Sequence, residues 1–173
     1  MIIVYTGTGK GKTSASVGQC LRALGQGMRV AFCQFMKRDG QAGEQAMLKE
    51  LLGPDFLAGG LGFFRNKSDY PAHRAAALKV LDWAGKRLDP EDQANRADML
   101  VLDEILYALG AGLIKREEVE RLITLAEAGR THLVLSGRGL PDWLQARVDL
   151  ATRMDSLKHP HESGEKPRPG IEF

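Results

Sequence analysis

One run of residues constrains this chain more than any other: Thr6-Gly7-Thr8-Gly9-Lys10-Gly11-Lys12-Thr13. It follows directly on a continuous apolar stretch, Met1 to Tyr5 (MIIVY). It leads into a segment opened by Ser14, with Val17, Cys20, Leu21 and Leu24 at the helical spacing i, i+3, i+4, i+7. A buried strand, a glycine-rich turn and a helix in that order form the context of a phosphate-binding loop. Glycines let successive backbone N–H groups turn toward one anion, and a helix N-terminus adds unpaired donors and the positive end of its dipole. Lys12 supplies a point charge for the outer phosphates, and the Thr13 hydroxyl is placed to ligate the magnesium that travels with them. The usual pattern, G-x-x-x-x-G-K-[ST], has glycine where this chain has Thr6. A dinucleotide fingerprint is excluded, because G-x-G-x-x-G would need glycine at Lys12. The stretch is read as a nucleoside triphosphate site.

The 173 residues suffice for one domain with a real core. A net charge of +2, with no basic run that could track a phosphate backbone, gives no ground for a nucleic-acid partner. The apolar start is too short for a signal peptide or a membrane span. Cys20 and Cys33 have no C-x-x-C spacing and fall in expected core elements, so they are read as reduced and buried in a cytoplasmic protein.

Along the rest of the chain, Gly25 and Gly27 end the first helix, and Arg29 to Phe35 is expected to be a second buried strand. Glu44 to Leu52 is a short helix. Residues 53 to 70 read as irregular, with an apolar patch at Leu61, Phe63 and Phe64 that is expected to plug into the core in preference to lining a pocket. Pro71 begins a long helix with Ala77, Leu81, Ala84 and Leu88 on one face. Met99 to Leu102 is a strand that ends in Asp103-Glu104. A helix over Lys115 to Ala128 turns Val119, Leu122, Ile123 and Ala126 inward, with Gly129 as its stop. Leu133 to Leu135 lies in a further strand, a short helix starts at Pro141, and a last strand falls near Leu150 to Met154. Strands alternating with helices imply a mostly parallel sheet with helices on both faces.

Asp103-Glu104 at the end of an apolar strand supplies the second half of a phosphate-loop site, holding magnesium directly or through water; either carboxylate fits. The plain alternative is an acidic pair capping a helix at Ile105. Arg138, in the turn Ser136-Gly137-Arg138-Gly139, lies where ligands bind at the ends of parallel strands, and suits a phosphate or a substrate carboxylate. Asn66-Lys67-Ser68-Asp69 matches a guanine-binding N-K-x-D sequence. It precedes the acidic strand and has no D-x-x-G before it, so it is a chance match. His159 and His161 lack the further ligands of a zinc site.

With these segments placed, the chain resembles the phosphate-loop corrinoid adenosyltransferases, from Met1 to Phe173. The resemblance lies in TGTGKGKTSAS at 6–16, Gln34-Phe35-Met36-Lys37, Gly43-Glu44, Gly62-Phe63 and Leu102-Asp103-Glu104. Ser136-Gly137-Arg138-Gly139, Lys158-His159-Pro160 and Gly170-Ile171-Glu172-Phe173 complete it. That family's loop also lacks the first glycine. The resemblance implies a single-domain P-loop NTPase-like (RecA-like) α/β fold over 1–173, with the tail 158–173 packed near the site. It implies transfer of the 5′-deoxyadenosyl group of ATP to a cob(I) corrinoid, with release of tripolyphosphate and magnesium (or manganese) as cofactor. It further implies a cytoplasmic homodimer, a reductase that delivers an electron to cobalt, and no nucleic-acid or membrane partner.

The site residues follow from the matched motifs. Lys12, Glu104 and Arg138 are the candidate catalytic residues. Gly7, Thr8, Gly9, Lys10, Gly11, Lys12, Thr13 and Ser14 would hold the nucleotide. Thr13, Asp103 and Glu104 would hold the metal, and Phe63 would pack on the lower face of the corrin. Two departures stand out: Arg65 replaces the family's usual tryptophan, implying a differently shaped corrinoid pocket, and the N-terminal extension of longer relatives does not precede the first strand. Two other readings are weighed beside this one. A kinase or ATPase would act at phosphorus, and a non-catalytic module would bind ATP and corrinoid without turnover.

Overall fold

The computed structural model describes residues 1–63, 66–160 and 164–172; Phe64, Arg65, His161 and Phe173, singled out above, lie outside the described residues. Six strands form one sheet: β1 (Ile2–Thr6), β2 (Val30–Gln34), β3 (Phe56–Ala58), β4 (Met99–Asp103), β5 (His132–Ser136) and β6 (Leu150–Arg153). All pairings are parallel, in the order β3-β2-β4-β5-β1-β6. The helices are α1 (Lys12–Leu24), α2 (Glu44–Leu52), α3 (Tyr70–Leu88), α4 (Ile105–Gly110), α5 (Arg116–Gly129) and α6 (Asp142–Gln145). This is the α/β architecture expected of a phosphate-loop fold.

The central strands are buried at every position, as strands covered on both faces must be. Their side chains alternate between two cores. Val30, Phe32, Met99, Val101 and Val134 meet Cys20 and Ala23 of α1 and Leu48 and Leu52 of α2. Ala31, Cys33, Leu100, Leu102, Leu133 and Leu135 meet α3, α4, α5 and α6 on the other side. The faces expected of α3 and α5 are the buried ones, from Ala77 to Leu88 and from Val119 to Ala126. Both cysteines are buried and free, and burial pushes the Cys20 thiol up to about 11 and Cys33 well above its usual value. Neither is a reactive thiolate. No helix among the described residues is long and apolar enough to cross a membrane.

Three local expectations are corrected. Residues 53–70 are not wholly irregular: Phe56–Ala58 adds to the sheet edge as β3, paired Phe32 to Phe56 with their rings 6.3 Å apart. A three-residue strand is too short to show alternation. On α1 the inward face is Ser16, Cys20 and Ala23, while Leu21 is turned out and exposed. At the end of α5 the left-handed cap falls on Arg130 (φ 56°), one residue after the expected stop. Gly129 instead sits at a close approach, where a Cβ would lie 3.2 Å from the Leu88 carbonyl oxygen.

Leu100 is fully buried in the third strand of the sheet order and belongs to the larger core. Leu100→Ala is expected to cost about 3 kcal/mol, read as a lower urea midpoint with an unchanged slope.

Candidate active site

The loop between β1 and α1 is shaped by two left-handed glycines, Gly7 (φ 107°) and Gly11 (φ 109°). Thr6 still belongs to β1, and its carbonyl accepts the Met154 N–H at 2.9 Å. The turn therefore begins one residue later than the usual pattern, and Thr6 needs no glycine freedom. The chain leaving β6 crosses the loop: the Gly9 N–H donates to the Met154 carbonyl at 2.9 Å. A Cβ on Gly7 would lie 2.2 Å from that carbonyl oxygen, and one on Gly9 2.8 Å from the Asp155 carbonyl carbon. Lys12 folds back so that Nζ donates to the Gly9 carbonyl at 2.6 Å. Burial lowers the Lys12 pKa, with the charge of Glu104 opposing and that of Arg138 adding to the fall. The first turn of α1 has no side-chain cap, which leaves its N–H groups to an anion.

Beneath the loop lies Asp103, the last residue of β4, with no exposed surface. The Thr13 hydroxyl is 3.1 and 3.2 Å from its two oxygens. Ser136 Oγ, at the end of β5, donates to it at 2.6 Å. Gln34 Nε2 and Lys37 Nζ reach Oδ2 at 3.1 and 3.3 Å. Because β5 stands between β1 and β4, Ser136 is placed to bridge the loop strand and the acidic strand. The same hydroxyl accepts the Glu104 N–H at 3.0 Å, where the backbone is left-handed (φ 64°). For a non-glycine residue that conformation costs about 1 kcal/mol. It turns Glu104 toward the cleft while Asp103 stays below. Burial, then the charge of Asp103, raises the Glu104 pKa.

Lys37 joins the carboxylates of Asp103 and Glu44, with Nζ 2.7 Å from Glu44 Oε1. Burial acts to lower its pKa, but Asp103 and Glu44 outweigh that effect and the value is raised. Burial likewise opposes the ionised form of Glu44, and its hydrogen bond from Lys37 wins, so its pKa is lowered.

Above these groups opens a cleft of about 1020 Å³ at the C-terminal ends of β1, β2, β4 and β5, where parallel sheets place their ligands. Thr8 through Ser14, Lys37, Glu44, Glu104 and Arg138 line it. Phe63 lines it too, and this corrects the core expectation: Phe63 is 61 % exposed and Leu61 is also at the surface. The loop carrying them is stitched to the end of β2 by Gly62 N–H to the Met36 carbonyl (2.8 Å) and Arg38 Nε to the Leu61 carbonyl (2.5 Å). Phe63 meets Tyr107 of α4 edge-on, with ring centroids 5.1 Å apart. The tail closes another side: Pro167, Gly170, Ile171 and Glu172 reach the cleft, and Lys10 Nζ donates to the Ile171 carbonyl and pairs with Glu172.

Of the candidate residues, Thr8 to Ser14, Phe63, Glu104 and Arg138 share the cleft, while Gly7 lies under Met154 and Asp103 under the floor. His159 also lines the cleft. Sequence reasoning gave no role to Tyr107, Gln34 or Ser136. Lys37 and Glu44 stood inside matched segments without a role, and Tyr107 had no motif to mark it.

The match to known proteins covers the whole chain. The family described as ATP:corrinoid adenosyltransferase BtuR/CobO/CobP matches residues 1–173. The chain belongs to this family. A corrinoid adenosyltransferase from Sinorhizobium sp. is 36% identical over 100% of this chain and 80% of its own length. Corrinoid adenosyltransferase CobA of Salmonella typhimurium is 34% identical over 100% of this chain and 85% of its own. The corrinoid adenosyltransferase of Escherichia coli K12 is 31% identical, again over the whole of this chain and 85% of its own length.

For a member of the adenosyltransferase family, the donor set decides what cation fits. Among the described residues no group of three or more His, Cys, Asp or Glu could hold a metal alone. Thr13 Oγ1 and Asp103 offer adjoining hard oxygens with Glu104 nearby. Such a set fits a magnesium ion that keeps waters and takes its remaining ligands from phosphate.

The raised Glu104 pKa has a consequence for stability. Relative to an unfolded carboxyl near 4.5, the folded protein holds this proton more tightly. That stabilisation is complete below 4.5 and is lost as pH rises through the folded value. Glu104→Gln, which cannot ionise, should gain stability relative to the parent between acid and neutral pH, measured as a growing difference in urea midpoints.

Proposed function

We propose that this enzyme transfers the 5′-deoxyadenosyl group of ATP to the cobalt of a cob(I) corrinoid, releasing tripolyphosphate. The observation that carries the reading is the composition of one cleft. A phosphate loop with Lys12 lines one wall, the edge-on pair of exposed Phe63 and half-buried Tyr107 lines another, and the volume is at the upper end for small-molecule sites. The cobalt(I) electron pair forms the bond to C5′ as the C5′–O bond breaks, and the electrons of that bond leave on the triphosphate. Cobalt passes formally from +1 to +3. The nucleophile is the metal of the substrate, so no general base is required.

The protein's work is to orient C5′ and to stabilise charge growing on the leaving group. Lys12 leaves the Gly9 carbonyl for a phosphate oxygen, and the loop amides up to Ser14 that are not already bonded within the fold, as Gly9 N–H is to Met154, share that anion. Arg138 adds a second positive charge from the turn after the neighbouring strand β5. Thr13 and Asp103, with Glu104 beside them, would hold magnesium, which supplies Lewis-acid neutralisation of the triphosphate. Phe63 would lie against the lower face of the corrin and keep water and the lower ligand off cobalt, which makes reduction to cobalt(I) easier. The whole chain acts as one domain in this reading, as a cytoplasmic homodimer served by a separate reductase. A kinase or ATPase is disfavoured because the relatives that match this chain along its whole length are named corrinoid adenosyltransferases.

Anaerobic assay with ATP, magnesium and chemically reduced cob(I)alamin should show loss of the cobalt(I) band with stoichiometric tripolyphosphate. Orthophosphate or ADP with the band unchanged would refute transfer. Lys12→Ala should lower kcat about 10²- to 10³-fold, the usual loss for one donor to a developing anion. Phe63→Ala should slow the reaction started from cob(II)alamin and reductant more than the one started from cob(I)alamin. Equal slowing from both starting states would argue against the proposed place of this ring.

A further inference from the structure

Lys37 stands in an arrangement that the transfer reaction does not by itself explain. Its Nζ lies 2.7 Å from Glu44 Oε1, 3.2 Å from Thr13 Oγ1 and 3.3 Å from Asp103 Oδ2. An ammonium has three protons, and here each has one oxygen acceptor. Two of the three oxygens belong to the Thr13–Asp103 pair that fits a divalent cation. The side chain is 23 % exposed, and the carboxylate of Asp103 is fully buried. Gln34, itself buried, donates to both Glu44 Oε1 (3.0 Å) and Asp103 Oδ2 (3.1 Å) and holds the two carboxylates in place independently of Lys37. Gln45 in turn fixes Gln34, donating to its Oε1 at 2.7 Å.

We propose that Lys37 is a resident cation: in the nucleotide-free enzyme it occupies the oxygens of the divalent-metal site, and it yields them only when the metal arrives with ATP. The inference rests on the proposed metal role of Thr13 and Asp103. Two cations cannot share oxygens at these distances without strong repulsion in a site that water screens poorly. A free divalent ion therefore meets an occupied and partly neutralised site. A metal–ATP complex brings its own phosphate oxygens, which accept the displaced ammonium while Glu44 keeps its hold, so the exchange leaves no charge without a partner. Lys37 is thus a positioning residue. It keeps the Asp103 carboxylate compensated between turnovers and makes metal binding conditional on nucleotide.

The test measures Mn²⁺ binding to the full chain with no corrinoid present: without ATP from the free-ion electron paramagnetic resonance signal, and with ATP from the Mn²⁺ that the protein retains above an ultrafilter through which Mn–ATP passes. Without ATP, Lys37→Met should bind Mn²⁺ about tenfold or more tighter than the parent, because a positive charge has left the site. Lys37→Arg, which keeps the charge, should stay as weak as the parent. With ATP, the parent should bind tightly and the gap to Lys37→Met should close. A gain of affinity cannot come from a misfolded variant. If Lys37→Met binds Mn²⁺ no tighter than the parent without ATP, while the parent binds normally with ATP, the resident-cation inference alone is overturned. If the parent binds no Mn²⁺ even with ATP, both this inference and the metal reading beneath it fall.

Discussion

The site is built around a carboxylate that has been taken out of water. Asp103 has no exposed surface, and an unpaired charge in such a place would be untenable. It is satisfied by one group from each neighbouring element: Thr13 from α1, Gln34 from β2, Lys37 from the turn after β2 and Ser136 from β5. These donors arrive only if β1, β5, β4 and β2 lie side by side in that order and end at one level. The sheet register and the chemistry of the cleft are therefore parts of one constraint. Breaking the register of any one strand would strand this charge.

A second consequence of this arrangement is the division of labour within the acidic pair. The left-handed backbone at Glu104 rotates two adjacent carboxylates into different environments, one beneath the floor and one in the cleft. Ser136 anchors both, donating to Asp103 and accepting from the Glu104 amide. Desolvation then separates their behaviour: Glu104 retains its proton more readily than an ordinary glutamate. Sequence alone left open which of the two carboxylates would meet the metal directly, and the backbone geometry is what separates their surroundings.

Legibility in the sequence followed the range of the interactions involved. The loop, the acidic strand and the amphipathic faces of α3 and α5 are local patterns, and they were readable to within a residue or two. What was not readable depended on contacts between distant segments. The apolar pattern alone read Phe63 as a core residue, while the family resemblance put it at the corrinoid; hydrogen bonds from Gly62 and Arg38 hold its loop at the cleft. Tyr107 had no motif, since its role comes from where α4 points after the turn at Glu104. Leu21 shared the helical spacing of α1, yet the helix presents Ser16, Cys20 and Ala23 inward. Lys37 and Glu44 were visible as residues, but only the meeting of β2, α2 and β4 gives them a common partner.

The crossing of the phosphate loop by the chain after β6 changes what its glycines record. Gly7 and Gly9 are hemmed in by the Met154 and Asp155 backbone, so a side chain at either position would collide with protein before it met any nucleotide. Lys12 meets no backbone of that crossing segment; its Nζ rests on the Gly9 carbonyl of its own loop, and a bound anion is what calls for its charge there. In a descendant of this chain that had abandoned ATP, selection on folding would still preserve the two glycines, whereas position 12 would be free to drift. Within this lineage the lysine, and not the glycine pattern around it, is the trace by which a working nucleotide site can be told from a relic.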